Sequence, residues 1–261
     1  MTTGSGQVVV DETDGAVFVR LNRPDRHNAL VPKLIGDLHT ALDHAAKQDP
    51  VALVLTGNGA SFSTGGDISG FLAHAGSRKE LLHYAEDLVG GLHDAVLKLL
   101  SFSAPVIAAV NGPVTGGAAG LVLAADMVAM SEQAFLQPYY CTVGFAPDGG
   151  WTALLPDRIG TAKALQIQYL NERVSAEEAQ SLGLASCVCP RSKLDGVVGA
   201  WLRMLAAGSH ATHRATRRNI WDDMRLEQVR ARLDREKSRF LDLIMHPDTL
   251  AGMTAFAQRR A

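Results

Sequence analysis

Two glycine-rich turns hold the residues best placed to do chemistry: Ser63-Thr64-Gly65-Gly66-Asp67 and Asn111-Gly112-Pro113-Val114-Thr115-Gly116-Gly117. Glycine lets a ligand come close to the main chain, and exposed N–H groups at such turns can hold an anion. One N–H from each turn, aimed at a common point, would grip a single oxygen, which is the physics of an oxyanion hole. Glycine is also the default residue of ordinary loops. Taken alone, the two turns fit either description.

Each turn needs an element to carry it. Residues 51–56 and 105–110 are continuous apolar runs, so each turn is expected to follow a strand buried on both faces and to lead into a helix. Upstream, residues 8–10 and 16–22 read as a hairpin about Asp14-Gly15, with Val17, Val19 and Leu21 on one face. A helix is predicted from Pro32, where Leu34, Leu38, Leu42 and Ala45 share a stripe, and Asp49-Pro50 ends it. Residues 69–79 are polar and irregular, which suggests a mobile loop, and 80–100 form a long amphipathic helix.

Residues 118–125 carry almost no polar side chain, so a helix there must be buried all round. Short strands are expected at 127–130, 134–139 and 184–189, and a helix over 154–170 with a break near Gly160. Ser175-Ala176-Glu177-Glu178 reads as a capping box, and Gly183 stops its helix. From residue 194 onward only helices are expected, which makes an α/β core with a helical C-terminal segment.

Composition narrows the partners. The chain has 261 residues, 47% hydrophobic and 20% charged, with a formal net charge of -2, so it lacks the footprint of a nucleic-acid-binding surface. Arg214, Arg217 and Arg218 read as a solvated helix face. Cys141, Cys187 and Cys189 are too few for a disulfide framework, and the latter two read as buried thiols. None of the nine histidines has metal-ligand spacing; His39, His44 and His83 read as surface residues. No apolar run is long enough to span a membrane, and the start Met-Thr-Thr-Gly-Ser-Gly has no secretory pattern, so a cytoplasmic location is expected. Neither glycine turn completes a P-loop or a dinucleotide fingerprint.

An ordered set of blocks resembles the crotonase superfamily, the enoyl-CoA hydratase/isomerase relatives. The blocks are Leu21-Asn22-Arg23-Pro24 with Asn28-Ala29-Leu30, Val54-Leu55-Thr56-Gly57, and Phe62-Ser63-Thr64-Gly65-Gly66-Asp67. They continue through Pro105-Val106-Ile107-Ala108-Ala109-Val110-Asn111-Gly112, Gly116-Gly117, Gly144-Phe145-Ala146-Pro147-Asp148-Gly149-Gly150 and Ser175-Ala176-Glu177-Glu178-Ala179 to Ala255-Phe256-Ala257-Gln258-Arg259-Arg260. The resemblance implies an α/β spiral of strand-strand-helix turns over residues 1–195, and a helical oligomerisation segment over 196–261. It further implies a homotrimer or a dimer of trimers, an acyl-CoA substrate, no metal, and no cofactor beyond the CoA of the substrate.

By position, the resemblance makes the N–H groups of Gly66 and Gly117 the oxyanion donors. It sets CoA against Arg26, Ala29, Ser63, Gly65, Phe256 and Arg259, with Arg23 and Arg260 as further basic residues near it. The acyl pocket falls to Tyr139, Tyr140 and Ser69, with His74 in the adjacent loop. Asp67 is expected to cap the next helix or pair with a basic neighbour.

The departures matter as much. Family hydratases use two glutamates; the corresponding positions here are Gly120 and Tyr139, or Tyr140 if a one-residue insertion lies earlier. A tyrosine of ordinary pKa, about 10, is a poor base for activating water. Asp148 matches the single acid of some family isomerases, which moves a proton from C2 to C4 while a dienolate oxygen is held. It could equally brace its Pro-Asp-Gly turn. The resemblance therefore implies enoyl-CoA isomerisation, with a non-catalytic acyl-CoA binder, or hydration, decarboxylation or thioester hydrolysis, as alternatives.

Overall fold

The computed structural model describes residues 6–258. Strands β1 (Val8–Thr13) and β2 (Ala16–Leu21) pair antiparallel through a two-residue turn in which Asp14 and Gly15 have φ of 52° and 75°. Both values are positive, as the twist of a tight hairpin requires. Pro32 opens helix α1 (Pro32–Lys47), whose buried stripe includes Leu34, Leu38, Leu42 and Ala45.

Next come β3 (Leu53–Gly57), α2 (Ile68–His74), α3 (Arg78–Leu100) and β4 (Val106–Val110). A short β5 (Val114–Thr115) then leads through a 3-10 turn, Gly116–Ala118, into α4 (Ala119–Leu123). Every residue of α4 is buried. The chain continues with β6 (Met127–Ser131), β7 (Phe135–Gln137), α5 (Tyr140–Val143), α6 (Leu155–Ile159) and α7 (Thr161–Leu170). It ends with β8 (Val174–Ser175), α8 (Ala176–Ser181), β9 (Cys187–Cys189), α9 (Leu194–Ala207), α10 (His210–Ile220), α11 (Asp223–Leu243) and α12 (Pro247–Gln258).

The main sheet runs β1-β2-β3-β4-β6-β9, parallel from β2 onward. A smaller sheet, β5-β7-β8, stands beside it. β3 and β4 are buried along their whole length because both faces are covered. The larger core joins α1 and α3 to the sheet and takes in Val229, Leu233, Phe240 and Ile244 of the C-terminal segment. Leu194, Val198 and Leu202 of α9 cover the other face, against Val54, Ile107 and Ala129. The result is an α/β spiral of ββα turns with helices following it.

Several local expectations need correction. Residues 69–79 are not a loop: Asp67 caps α2 by accepting from Ser69 N, and Ser77 caps α3 by accepting from Glu80 N. Arg217 is buried, not solvated; it pairs with Asp126 and donates to the carbonyls of Leu99, Leu100 and Phe102. Cys187 and Cys189 are half-buried, and Cys141 is exposed. Ser175 accepts from Glu178 N, but the Glu178 carboxylate turns to Lys163, 3.0 Å away. Among the described residues, no helix is long and apolar enough to cross a membrane.

Candidate active site

The two glycine turns are one local structure built twice. Ser63 and Val114 form a parallel bridge, with Ser63 N donating to Pro113 O at 3.2 Å and Thr115 N to Ser63 O at 3.0 Å. Two residues on, Gly65 and Gly116 both have left-handed φ, 74° and 52°. A Cβ at Gly65 would lie 2.6 Å from Thr115 O and 3.3 Å from Gly116 Cα, so only glycine lets the turns touch. Gly66 and Gly117 follow at equivalent places, and both line one cavity of about 410 Å³.

Leu30 N donates to Gly65 O at 2.7 Å and Asp67 N to Leu30 O at 2.9 Å, which leaves the Gly66 N–H on the other side of its strand. Gly117 lies in the first turn of a 3-10 segment, where donors have no intrahelical acceptor. Among the described residues, neither N–H donates to a protein acceptor. Two such donors on one wall are what an oxygen gaining negative charge requires.

Asp148 reaches this wall. Its carboxylate oxygens lie 3.0 and 3.1 Å from where Gly117 would carry a Cβ. The turn that carries it is locked onto the glycine segment. Gly149, at φ 62°, presses on Gly117, and Gly149 O fills the place of a Gly120 side chain, 2.3 Å from an ideal Cβ. A glutamate at position 120 has no room. The Asp148 side chain is buried, which pushes its pKa up to about 7 even though the Tyr140 hydroxyl donates to it; the nearby charge of Glu236 pushes the same way as burial.

Two buried groups behind this turn escaped the sequence reading. Glu236 of α11 accepts from Gly150 N at 2.8 Å, Thr152 N and Oγ1 at 2.7 Å each, and Ala153 N at 2.8 Å. Burial raises its pKa, against the pull of these donors. His93 of α3 accepts from Gly149 N through Nε2 at 3.1 Å, and burial, aided by Lys237, lowers its pKa to about 4. It is therefore neutral at physiological pH. A signal was present for each: both interrupt the apolar stripe of an amphipathic helix, Glu236 between Leu233 and Phe240, His93 between Val89 and Val96.

The remaining candidates divide. Arg26, Ala29, Ser69, Tyr139, Tyr140 and Phe256 line the cavity with Gly66, Gly117 and Asp148. Tyr140 does more than form wall, because its hydroxyl is bonded to Asp148. Arg26 sits exposed at the mouth, 3.3 Å from Asp67 and 2.9 Å from Ser69 Oγ. Arg23 is turned inward to Asp67 and Ala29 O, and hydrogen bonding from Arg23 and Ser69 outweighs burial to hold the Asp67 carboxyl below its usual range.

Ser63 and Gly65 do not line the cavity. Ser63 is fully buried, donating to Asn28 O and accepting from Gly65 N, so both belong to the framework of the turn. His74 also stays off the wall, stacked on Tyr84. Phe71, Phe145 and Phe240 pack together at one part of the cavity, with centroids 4.8 to 5.9 Å apart. Arg259 and Arg260 lie outside the described residues.

The fold is an α/β spiral whose paired glycine turns set two N–H groups without protein acceptors, among the described residues, beside a buried acid, an arrangement that can hold an oxygen gaining charge. Residues 11–261 match the family model described as enoyl-CoA hydratase/isomerase, and the chain belongs to that family, within the crotonase superfamily. It is 31% identical over 201 residues to 4-chlorobenzoyl coenzyme A dehalogenase-2 of Arthrobacter sp, covering 77% of this chain and 72% of that one. It is 30% identical over 218 residues to trans-2-decenoyl-[acyl-carrier-protein] isomerase of Streptococcus mutans, covering 82% and 81%. The crystal structure of an enoyl-CoA hydratase from Bacillus halodurans shares the fold at a TM-score of 0.89 and 21% identity, over 95% of this chain and 99% of that one.

Proposed function

We propose that this acyl-CoA enzyme moves a double bond of an enoyl-CoA from the β,γ to the α,β position, with Asp148 as the proton carrier. The Asp148 carboxylate against Gly117, in the wall that holds both unpaired N–H groups, carries this reading. The thioester oxygen sits on the Gly66 and Gly117 amides. Asp148 takes a proton from C2, the electron pair delocalises onto that oxygen, and the same proton returns at C4. No water is consumed, and one acid serves both steps.

The pKa of about 7 suits a group that must both accept and release a proton near neutrality. Loss of one amide donor costs on the order of 3–4 kcal/mol of barrier in comparable sites. Hydration by two carboxylates finds no support at Gly120, which has no space, or at Tyr140, whose hydroxyl is committed to Asp148. The relative named as a decenoyl isomerase supports the same reading. Arg26 and Ser69 at the mouth suit the CoA phosphates. Assembly into trimers or a dimer of trimers, in the cytoplasm, belongs to the same proposal.

The test is incubation with a 3-enoyl-CoA while the absorbance of the conjugated 2-enoyl thioester is followed. Turnover no faster than that of an Asp148→Asn variant removes the reading.

A second reading draws on the dehalogenase relative and on the Phe71, Phe145 and Phe240 rings. Here an aryl-CoA is bound and Asp148 Oδ attacks the halogen-bearing ring carbon while the held carbonyl takes up charge. Halide leaves, and water cleaves the resulting ester. Halide release from 4-chlorobenzoyl-CoA, with solvent oxygen-18 entering Asp148 in a single turnover, identifies this course. Tight binding of both thioesters with turnover of neither identifies a binding protein.

A further inference from the structure

The two amide donors are held in different ways. A peptide unit is planar and trans, so the N–H of one residue points opposite to the carbonyl of the residue before it. For Gly66 that carbonyl is Gly65 O, held by the main-chain N–H of Leu30 at 2.7 Å inside a strand bridge. For Gly117 it is Gly116 O, which accepts from the Ala119 N–H inside the 3-10 turn and also from a side chain: Trp151 Nε1 donates to it at 2.8 Å.

The side-chain bond adds a second restraint to the Gly116–Gly117 peptide, beside the Ala119 N–H. This peptide is flanked by glycine on both sides, Gly116 is left-handed at φ 52°, and neither residue has a Cβ to hinder rotation of the peptide plane. A rotated plane would aim the Gly116 carbonyl, in place of the Gly117 N–H, at a ligand oxygen. Trp151 is 1% exposed and lies in the same turn as Asp148, three residues on. The indole and the Asp148 carboxylate therefore meet the Gly116–Gly117 segment from a single loop, tied behind by Glu236 to Gly150, Thr152 and Ala153.

We infer that Trp151 is a positioning residue: its indole N–H locks the Gly116–Gly117 peptide with the Gly117 N–H facing the thioester oxygen. This rests on the reading that Gly117 N–H receives that oxygen. The lock also polarises the donor, because a hydrogen bond accepted at the carbonyl of an amide strengthens the one donated at its N–H.

The test uses hexanoyl-CoA and benzoyl-CoA labelled with carbon-13 at the thioester carbonyl, bound to the full chain and observed by infrared difference spectroscopy. In the unaltered protein the carbonyl band moves to lower frequency than in solution. Trp151→Phe, which keeps an aromatic ring and deletes the N–H, loses a measurable part of that displacement, while the Gly66 donor and the Ala119 bond to Gly116 O remain. In the 3-enoyl-CoA assay its kcat falls about 10- to 100-fold with little change in KM, since the donor matters most when charge develops. Benzothienylalanine at position 151 exchanges only the N–H for sulfur and gives the same result if the phenylalanine variant folds poorly. A band displaced as far in both variants as in the unaltered protein overturns the role of Trp151. A band that is not displaced even in the unaltered protein overturns the oxyanion reading, and the lock with it.

Discussion

Tyr140 binds Asp148 at two points, its hydroxyl donating to the carboxylate Oδ1 and to the main-chain carbonyl at 3.0 Å. Burial, then the Asp148 charge, raises the Tyr140 pKa well above its ordinary value, so the phenol remains a donor at every working pH. Its bond favours the ionised form of Asp148, against burial. Tyr140→Phe therefore moves the Asp148 titration above 7. At pH 7 the rate falls about fivefold for the first unit of displacement and about tenfold for each further one, and raising the pH recovers it. A pH profile of kcat/KM checks this; an unmoved lower limb refutes it.

Glu236 acts in the opposite sense. Its charge raises the Asp148 pKa, and neutral His93, whose Nε2 is 3.7 Å from Glu236 Oε2, does not offset that charge. Glu236→Gln keeps the shape and removes the charge, so the Asp148 titration moves below 7. Carboxyl infrared bands assigned by difference from Asp148→Asn measure the shift without reference to turnover.

Asp148 also carries a cost in stability that its sign makes testable. Its folded pKa of about 7 lies above the ordinary aspartate value of 3.8, so the folded state binds the proton more tightly. The stability from this group is complete below pH 3.8, declines through the interval between, and is lost above about 7. The span corresponds to on the order of 4 kcal/mol as an upper bound. Asp148→Asn, which cannot ionise, is expected to melt higher than the unaltered chain at pH 8, with the gap closing toward pH 4. Melting curves across that range decide it.

Arg217 supplies a contrast within one helix. Its guanidinium meets Asp126 at 2.7 Å and the last carbonyls of α3, while Arg218 on the same helix is exposed. Arg217→Ala leaves those buried carbonyls without a donor, while exposed Asp126 keeps its bond from Val106 N, and costs about 1–3 kcal/mol. Arg218→Ala stays within about 0.5 kcal/mol. Denaturant titration of the two variants measures the difference.

What was legible from the letters was local. Hairpin, buried strands and glycine turns all follow from patterns a few residues long, and the structure adjusts only their ends. The 69–79 error has the same scale: Asp67 and Ser77 are helix caps, and their polar character passed for loop. What stayed hidden was distant. Glu236 meets Gly150 across 86 residues and Arg217 meets Asp126 across 91, and a lone charged letter on an amphipathic helix does not say which loop it will find. Gly120 shows the reverse case. Its sequence reading recorded a missing glutamate, whereas the fold gives the physical reason: the carbonyl of Gly149 occupies the space.

The strap from α11 to residues 150–153 has a consequence for biosynthesis. The spiral strands and both glycine turns leave the ribosome well before residue 236 does, so the nascent chain can build its oxygen-gripping wall while the acid-bearing turn still lacks its anchor. The final geometry of the turn carrying Asp148 is thus contingent on a carboxylate synthesised 88 residues after it.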